Sequence, residues 1–351
     1  MTDDSQEPQA NGWNAIDEAL YPIYGGIEPM HWGTLISWQF GGPDPIHGIS
    51  AYRNNRSRNH LHYVTYGFTD LWEKEGDDAK VSGFGFELTF RLAWDAEKAP
   101  PDWALGFLQN LGRYVFQTGR RFAAGHSMPL NGPIALETDT RIHAIAFTLD
   151  PELPPIDTDN GSVQFLQIVG LTNDELTAIQ GWNAERFMEL VQEQNELLIT
   201  DLNRDSYLAD EQFAHRVNVA TEAEGASAAA LYCGEASFEC AEDAACQLTL
   251  GALTVTDLAR RLVGRIPYGR PFSVLADERE ISFEPADQFG WEKNGESLRI
   301  FLTTQESRVL VADLLKPHVG TYTSQSLPGL TVNIVMTRVK DRDGNVTREI
   351  G

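Results

Sequence analysis

The stretch "SGFGFELTFRL", Ser82 to Leu92, constrains the fold more than any other part of the chain. Phe86, Leu88, Phe90 and Leu92 alternate with Glu87, Thr89 and Arg91, and a period of two is that of a strand with one apolar face. The segment is therefore predicted to be a strand with one buried face. Directly after it comes "APPD" and then Trp103 to Phe116, where Ala104, Phe107, Leu108, Leu111, Tyr114 and Val115 recur at helical spacing behind two prolines. A helix entered through proline with one apolar stripe must bury that stripe, and the sheet is the expected surface.

The same reading places other elements. "WNAIDEAL" sets Trp13, Ile16 and Leu20 on a helical period that Pro22 should limit. "GGPDP", Gly41 to Pro45, fixes a turn or rigid corner. Strands are expected at "RIHAIAFTL", "SVQFLQIVG" and "LLITDL", with a helix at "NAERFMELVQEQ" and another opened by a capping box of Thr172 and Glu175. Farther on, strands are expected at "FSVLA", "EISFE", "LRIFLT" and "LTVNIVMTRV", with one helix capped at Thr303 by Glu306. Strands and helices mix without regular alternation, so the fold class is α+β and not a doubly wound sheet.

At 351 residues the chain exceeds the usual size of one domain, and 42% hydrophobic content is enough for a core in each of two. Composition turns small and polar around "NVATEAEGASAAA". The expected organisation is a loose N-terminus over 1–11, a first domain over 12–204, a linker over 205–229 and a smaller second domain over 230–351.

Net charge of -24 repels phosphate backbones and anionic membranes, so neither nucleic acid nor membrane is expected as a partner. The same field would attract a basic protein or peptide. Cys233, Cys240 and Cys246 do not amount to a disulfide framework and read as buried or idle thiols. With no export signal in "MTDDSQEPQANGW", the expected location is cytoplasmic.

A search for chemistry returns little. His60 and His62, in "NHLHYVTYGFTDLW", would project from one face of a strand about 7 Å apart, close enough to share a metal. They lack a third ligand: the other histidines are isolated and there is no HExxH sequence. No G-x-S-x-G elbow occurs, and "GFGFEL" leads into a strand where a phosphate loop needs a helix. No catalytic residue, metal site or cofactor is therefore assigned. The remaining signal is aromatic density between His60 and Phe90, with Trp72 at a strand end beside the acidic loop "EKEGDDAK". Such a residue can pack in a core or line a groove, since Trp offers large contact area at low entropic cost.

In order, "GGPDPIHGISAYRN", "HLHYVTYGFTDLW", "SGFGFELTFRL", "LGRYVFQ", "VQFLQIVGLTNDEL", "QGWN" and "LLITDL" resemble the N-terminal domain of the Suppressor of Fused family, over about Trp13 to Leu202. "ARRLVGRIPYGRPFSVLADEREISFEP" and "GESLRIFLTTQESRVLVADL" are similar to its C-terminal domain. The long insertion of the animal protein is absent, which implies a bacterial or minimal homologue. The resemblance implies no enzyme activity. It implies a protein that grips an extended peptide segment of a partner between its two domains, with Trp72 as an aromatic wall of the groove and Asp77 or Asp78 as an acidic contact. In a bacterium this would suit an immunity protein neutralising a basic toxin; in a eukaryote, a Hedgehog-type transcription-factor inhibitor. The alternative from the residues alone is a metal-dependent hydrolase using His60 and His62.

Overall fold

A computed structural model describes residues 10–95, 97–136, 138–241, 245–340 and 346–351. The chain divides into two compact units, one built from residues up to Leu176 with Ala184–Phe213, the other from Thr177–Asn183 with Ala214–Gly351. Both mix helices with antiparallel and parallel strands, the α+β class read from the sequence.

The first unit opens with helix α1 (Asn11–Tyr24) and continues through β1 (Met30–Gly33), β2 (Gly48–Asn54), β3 (His60–Tyr66) and β4 (Val81–Ala93). Helix α2 (Asp102–Thr118) follows, then β5 (Ser127–Pro129), β6 (Ala144–Leu149), β7 (Ile156–Thr158) and β8 (Gly161–Leu171). These strands form an eight-stranded sheet ordered β1-β2-β3-β4-β8-β6-β5, with β7 paired to β8. Phe86, Leu88, Phe90 and Leu92 face α2 and pack with Phe107, Leu108 and Leu111, as their alternation predicts.

The opposite face departs from expectation. Glu87, Thr89 and Arg91 are fully buried, because α1 lays Ile16, Leu20 and Tyr24 across that side against Tyr52, Val64 and Tyr66. Buried polar groups must then find partners inside the protein. Arg91 grips Asp150 through Nη1 at 2.6 Å and Nη2 at 3.0 Å and reaches Glu152 at 2.9 Å. Thr89 donates to Asp150 at 2.6 Å.

Several local readings are revised. Helix α1 runs through Pro22 to Tyr24 instead of stopping before it; the carbonyl deprived of its partner belongs to exposed Glu18, where water can serve. "LLITDL" contributes only an isolated bridge from Thr200 to Leu92. Of the capping box at Thr172, the Glu175 half is present, its carboxylate accepting from Thr172 N at 2.9 Å, while the Thr172 hydroxyl donates to Asp174. Of the stretch read as a linker, Glu211–Glu224 forms helix α5, which follows α3 (Asn173–Gly181) and α4 (Ala184–Gln192). Its alanines and glutamates are good helix formers. The loose N-terminus expected over 1–11 falls mostly outside the described residues.

In the second unit, β9 (Ala230–Tyr232), β10 (Ala236–Ala241), β11 (Ala245–Gly251), α6 (Ala252–Val263), β12 (Phe272–Ala276), β13 (Arg279–Pro285), β14 (Gly290–Asn294) and β15 (Ser297–Leu302) come first. Helix α7 (Thr304–Val309), β16 (Gly320–Thr323), β17 (Leu330–Val335), β18 (Thr337–Lys340) and β19 (Val346–Ile350) follow. They build a four-stranded sheet ordered β10-β11-β17-β16 and a five-stranded one ordered β14-β15-β13-β12-β9. Leu248, Leu250, Leu258, Leu262, Ile281 and Ile300 meet in its core. The capping box at Thr303 is complete, Thr303 accepting from Glu306 N at 3.1 Å and Glu306 from Thr303 N at 2.9 Å. The reading of three separate thiols is corrected: Cys240 and Cys246 are register partners across β10 and β11 and are disulfide-bonded, with Cys233 free. A C-x5-C spacing closed by a hairpin brings the two thiols face to face.

Candidate partner-binding site

Four partly exposed rings from separate parts of the first unit gather around the buried ring of Tyr66. Trp13 of α1 stacks on Tyr66 with centroids 4.5 Å apart and tilts against His31 of β1 at 5.5 Å. On its other side Trp72 lies 6.4 Å away, and the edge of His47 meets Trp72 at 4.9 Å and 83°. Gly48 forms the floor: a Cβ there would come within 2.6 Å of the His31 ring and 2.9 Å of Trp13. Only a residue without a side chain lets both rings lie so close over β2. Offset and edge-on ring contacts of this kind add to the area they bury.

The loop carrying Trp72 is held by its backbone, which leaves the ring half-buried and partly on display. Asn160 Nδ2 donates to the carbonyls of Asp70 at 2.8 Å and Trp72 at 3.0 Å. Lys74 Nζ points inward, donating to Val81 O and, at 2.8 Å, to Asn160 O, with the Asp70 carboxylate 3.4 Å away. At the loop's start, buried Glu87 accepts from Gly67 N at 2.9 Å, Thr69 N at 3.0 Å, and the hydroxyls of Thr65 at 2.6 Å and Thr69 at 2.7 Å. Burial pushes the Glu87 carboxyl up to about 7 despite these bonds.

Beyond Trp72 the side chains of Glu73, Glu75, Asp77 and Asp78 are exposed. The two aspartates differ. Asp78 is built into the turn that starts β4, its Oδ1 accepting from Lys80 N at 2.9 Å and its carbonyl from Val81 N at 3.2 Å. Asp77 stands in solvent. Burial lowers the pKa of His47 although Glu75 opposes it, and lowers His31 against the pull of Asp17. Both rings are therefore neutral near pH 7, and the surface presents neutral aromatics beside negative charge.

His60 and His62 do lie on one strand face, but each is turned to the interior. His62 Nδ1 is 2.8 Å from Tyr24 Oη, and its Nε2 is 3.4 Å from Asp150. His60 Nδ1 donates to Arg58 O at 2.8 Å. No group of three His, Cys, Asp or Glu among the described residues is placed to hold a metal ion. Sequence reasoning found Trp72 and, in the same motif, the aromatic density that includes Tyr66, but not Trp13, His31 and His47 beside them, which lie apart in the chain and share no motif. Gly48 is the one local hint, a glycine inside a strand where something approaches closely.

A family model described as "Suppressor of fused protein (SUFU)" matches residues 42–205, and Suppressor of fused homologs of Homo sapiens and Mus musculus are each 35% identical over 234 residues. Over that region the chain is similar to the Suppressor of fused family. Each of those matches covers 59% of this chain and 48% of the relative, so the chain spans about half the length of the curated relatives it matches. The crystal structure of Drosophila Suppressor of Fused has the same fold, with a TM-score of 0.74 at 21% identity over 93% of this chain and 97% of that one. A chain of the Sufu-Fu complex crystal structure aligns with a TM-score of 0.55 at 29% identity over 59% of this chain and 97% of its own. Within the Suppressor of fused match lie His47, Tyr66, Trp72, Asp77 and Asp78; Trp13 and His31 precede it.

Proposed function

We propose that this chain is a non-catalytic regulator that binds and sequesters a protein partner by gripping an extended segment of it, with both units contributing to the grip. The observation that carries the reading is the Trp72 wall: a half-buried aromatic cluster on a pinned loop, bordered by exposed carboxylates. Rigid aromatic anchors with a charged rim are what extended-peptide recognition requires. Similarity to a family with a member solved as the Sufu-Fu complex supports a protein as ligand. The charge of -24 supports a basic segment, and neutralising a basic toxin as an immunity protein in the cytoplasm of a bacterium is the form of sequestration that fits such a field best. A hydrolase built on His60 and His62 is not favoured, because the His62 ring is held between Tyr24 and Asp150.

The test is affinity purification of the tagged chain from its own cells at low ionic strength, followed by mass spectrometry. One stoichiometric protein is expected with the wild type. Its recovery should fall about tenfold or more with Trp72→Ala, the loss typical of an aromatic anchor, and should fall further when Asp77→Lys is added. Recovery of no stoichiometric partner overturns the reading.

A further inference from the structure

Strand β1 is the end of its sheet, paired only to β2 among the described residues. Thr34 N donates to His47 O at 2.9 Å, and antiparallel ladders alternate between bonded and outward-facing residues. Thr34, Trp32 and Met30 therefore bond inward, and His31 and Gly33, both exposed, turn their N–H and C=O groups away from β2. Proteins usually blunt such an edge with lysine, proline or a covering loop. Here the next residues do the opposite: Leu35 is 101% exposed, Phe40 83% and Ile36 56%.

The apolar loop has a fixed shape. Phe40 N and Gly42 N both return to Ser37 O, at 2.9 and 3.1 Å. A Cβ on Gly42 would lie 1.9 Å from Ile36 O, so that corner requires glycine. Trp38 anchors the loop edge-on against Phe116 at 6.3 Å. Between the loop and α2 runs a groove of about 480 Å³ lined by Trp32, Leu35, Ile36, Leu105, Gly106 and Gln109. Its polar lining is engaged within the protein: Gln109 bonds Ile46 in both directions at 3.0 and 3.2 Å, Thr34 Oγ1 donates to Ile46 O at 2.6 Å, and Arg113 pairs with Asp44 at 2.5 Å, so what the groove offers an apolar side chain is its apolar surface.

Charge chooses among occupants. Gln39 Nε2 reaches Glu75 at 3.4 Å, which ties this loop to the acidic one with its exposed Glu73, Asp77 and Asp78. A second copy would bring another -24 charges to the same place. We infer that β1 takes an added strand from a different protein, a segment alternating apolar with Lys or Arg residues, its main chain on His31 and Gly33 and its apolar side chains in the groove beside Leu35, Ile36 and Phe40. The inference rests on the reading of this chain as a binder of extended segments and adds to it the class of segment and a second contact surface.

A fluorescent peptide alternating lysine with valine and leucine is the probe, read by anisotropy with the full chain at low ionic strength. Binding is expected, with slowed amide hydrogen exchange in Met30–Gly33. It should weaken about tenfold or more with Leu35→Ser and Phe40→Ser together, and be lost when alternate amides of the peptide are N-methylated. Thermal unfolding of the double variant should match the wild type, because both side chains are exposed. Absence of binding, insensitivity to the double variant or to N-methylation, or protection outside β1 overturns the proposal. So does dimerisation of the chain that the double variant abolishes, which would make the occupant a second copy. If the peptide fails while the native partner is still captured through Trp72, only this inference falls; if no partner is captured, the reading beneath it falls.

Discussion

Glu87 shows at the residue scale how a buried charge serves a surface. Its carboxylate bonds the turn from which the Trp72 loop departs, and burial raises its pKa from 4.5 to about 7. A folded value above the unfolded one means the native state binds the proton more tightly, so stability falls as pH rises from 4.5 to 7 and is level above that. His62 has the opposite sign: burial, then the Arg91 charge, lower it from 6.5 to about 4, and its contribution is lost as pH falls through that range. The two slopes oppose each other and flatten the wild-type profile. Glu87→Gln removes one of them. Relative to wild type, its unfolding free energy should therefore climb by roughly 3 kcal/mol between pH 4.5 and 7, measured by urea titration at several pH values; parallel profiles would sink this account. The alternation in Ser82–Leu92 made Phe86, Leu88, Phe90 and Leu92 legible as a core face. That Glu87 and Arg91 are buried was not legible, because Thr65, Thr69 and Asp150 come from other strands and turns.

Whole elements were legible where their period was long. Helix α2 and strands β4 and β8 each repeat a spacing often enough to identify themselves. Helix α6 follows β11 with no residue between them, and "LTLGALTVTDL" blends the two periods into one apolar run. Strand β1 has four residues and no pattern of its own; pairing with β2 makes it a strand. The loop at 67–80 is an element of this second kind, shaped by partners. Asn160 reaches it from the turn between β7 and β8, and no local feature of the loop foretells that. Asn160→Ala should leave the carbonyls of Asp70 and Trp72 without their donor, at about 1–3 kcal/mol for the pair of bonds. The expected result is faster amide exchange over residues 70–76 and weaker partner binding with Trp72 still in place. Unchanged exchange would show that the loop's other bonds, from Lys74, from Asp70 N to Ser82 Oγ and from Gly12 N and Trp13 N to Leu71 O, suffice to hold it.

For the whole molecule, length together with the irregular mixing of strand and helix patterns was enough to expect two α+β units, and the Drosophila relative has the same fold along 93% of the chain. The boundary could not be read from composition, because Thr177–Asn183 clusters with the second unit although the chain returns to the first at Ala184. A search for one contiguous linker cannot find a crossing of that kind. Charge, by contrast, is a property of the whole and needs no topology to be read. With 27 basic residues against 51 acidic ones, the chain surrounds itself with a negative potential whose reach is set by salt, about 10 Å at 0.1 M. The aromatic wall works at contact distance and is indifferent to that reach. Association and dissociation should therefore separate: raising salt from about 0.02 to 0.3 M should slow association with a basic partner by tenfold or more while dissociation changes little, since steering acts on encounter and buried contacts on release. Surface-bound kinetics over a salt series measure both rates. Trp72→Ala should shift dissociation at every salt concentration and leave the slope of association against salt unchanged. A salt-independent association rate would remove charge from the account of how this chain finds its partner and leave the aromatic wall to explain binding by itself.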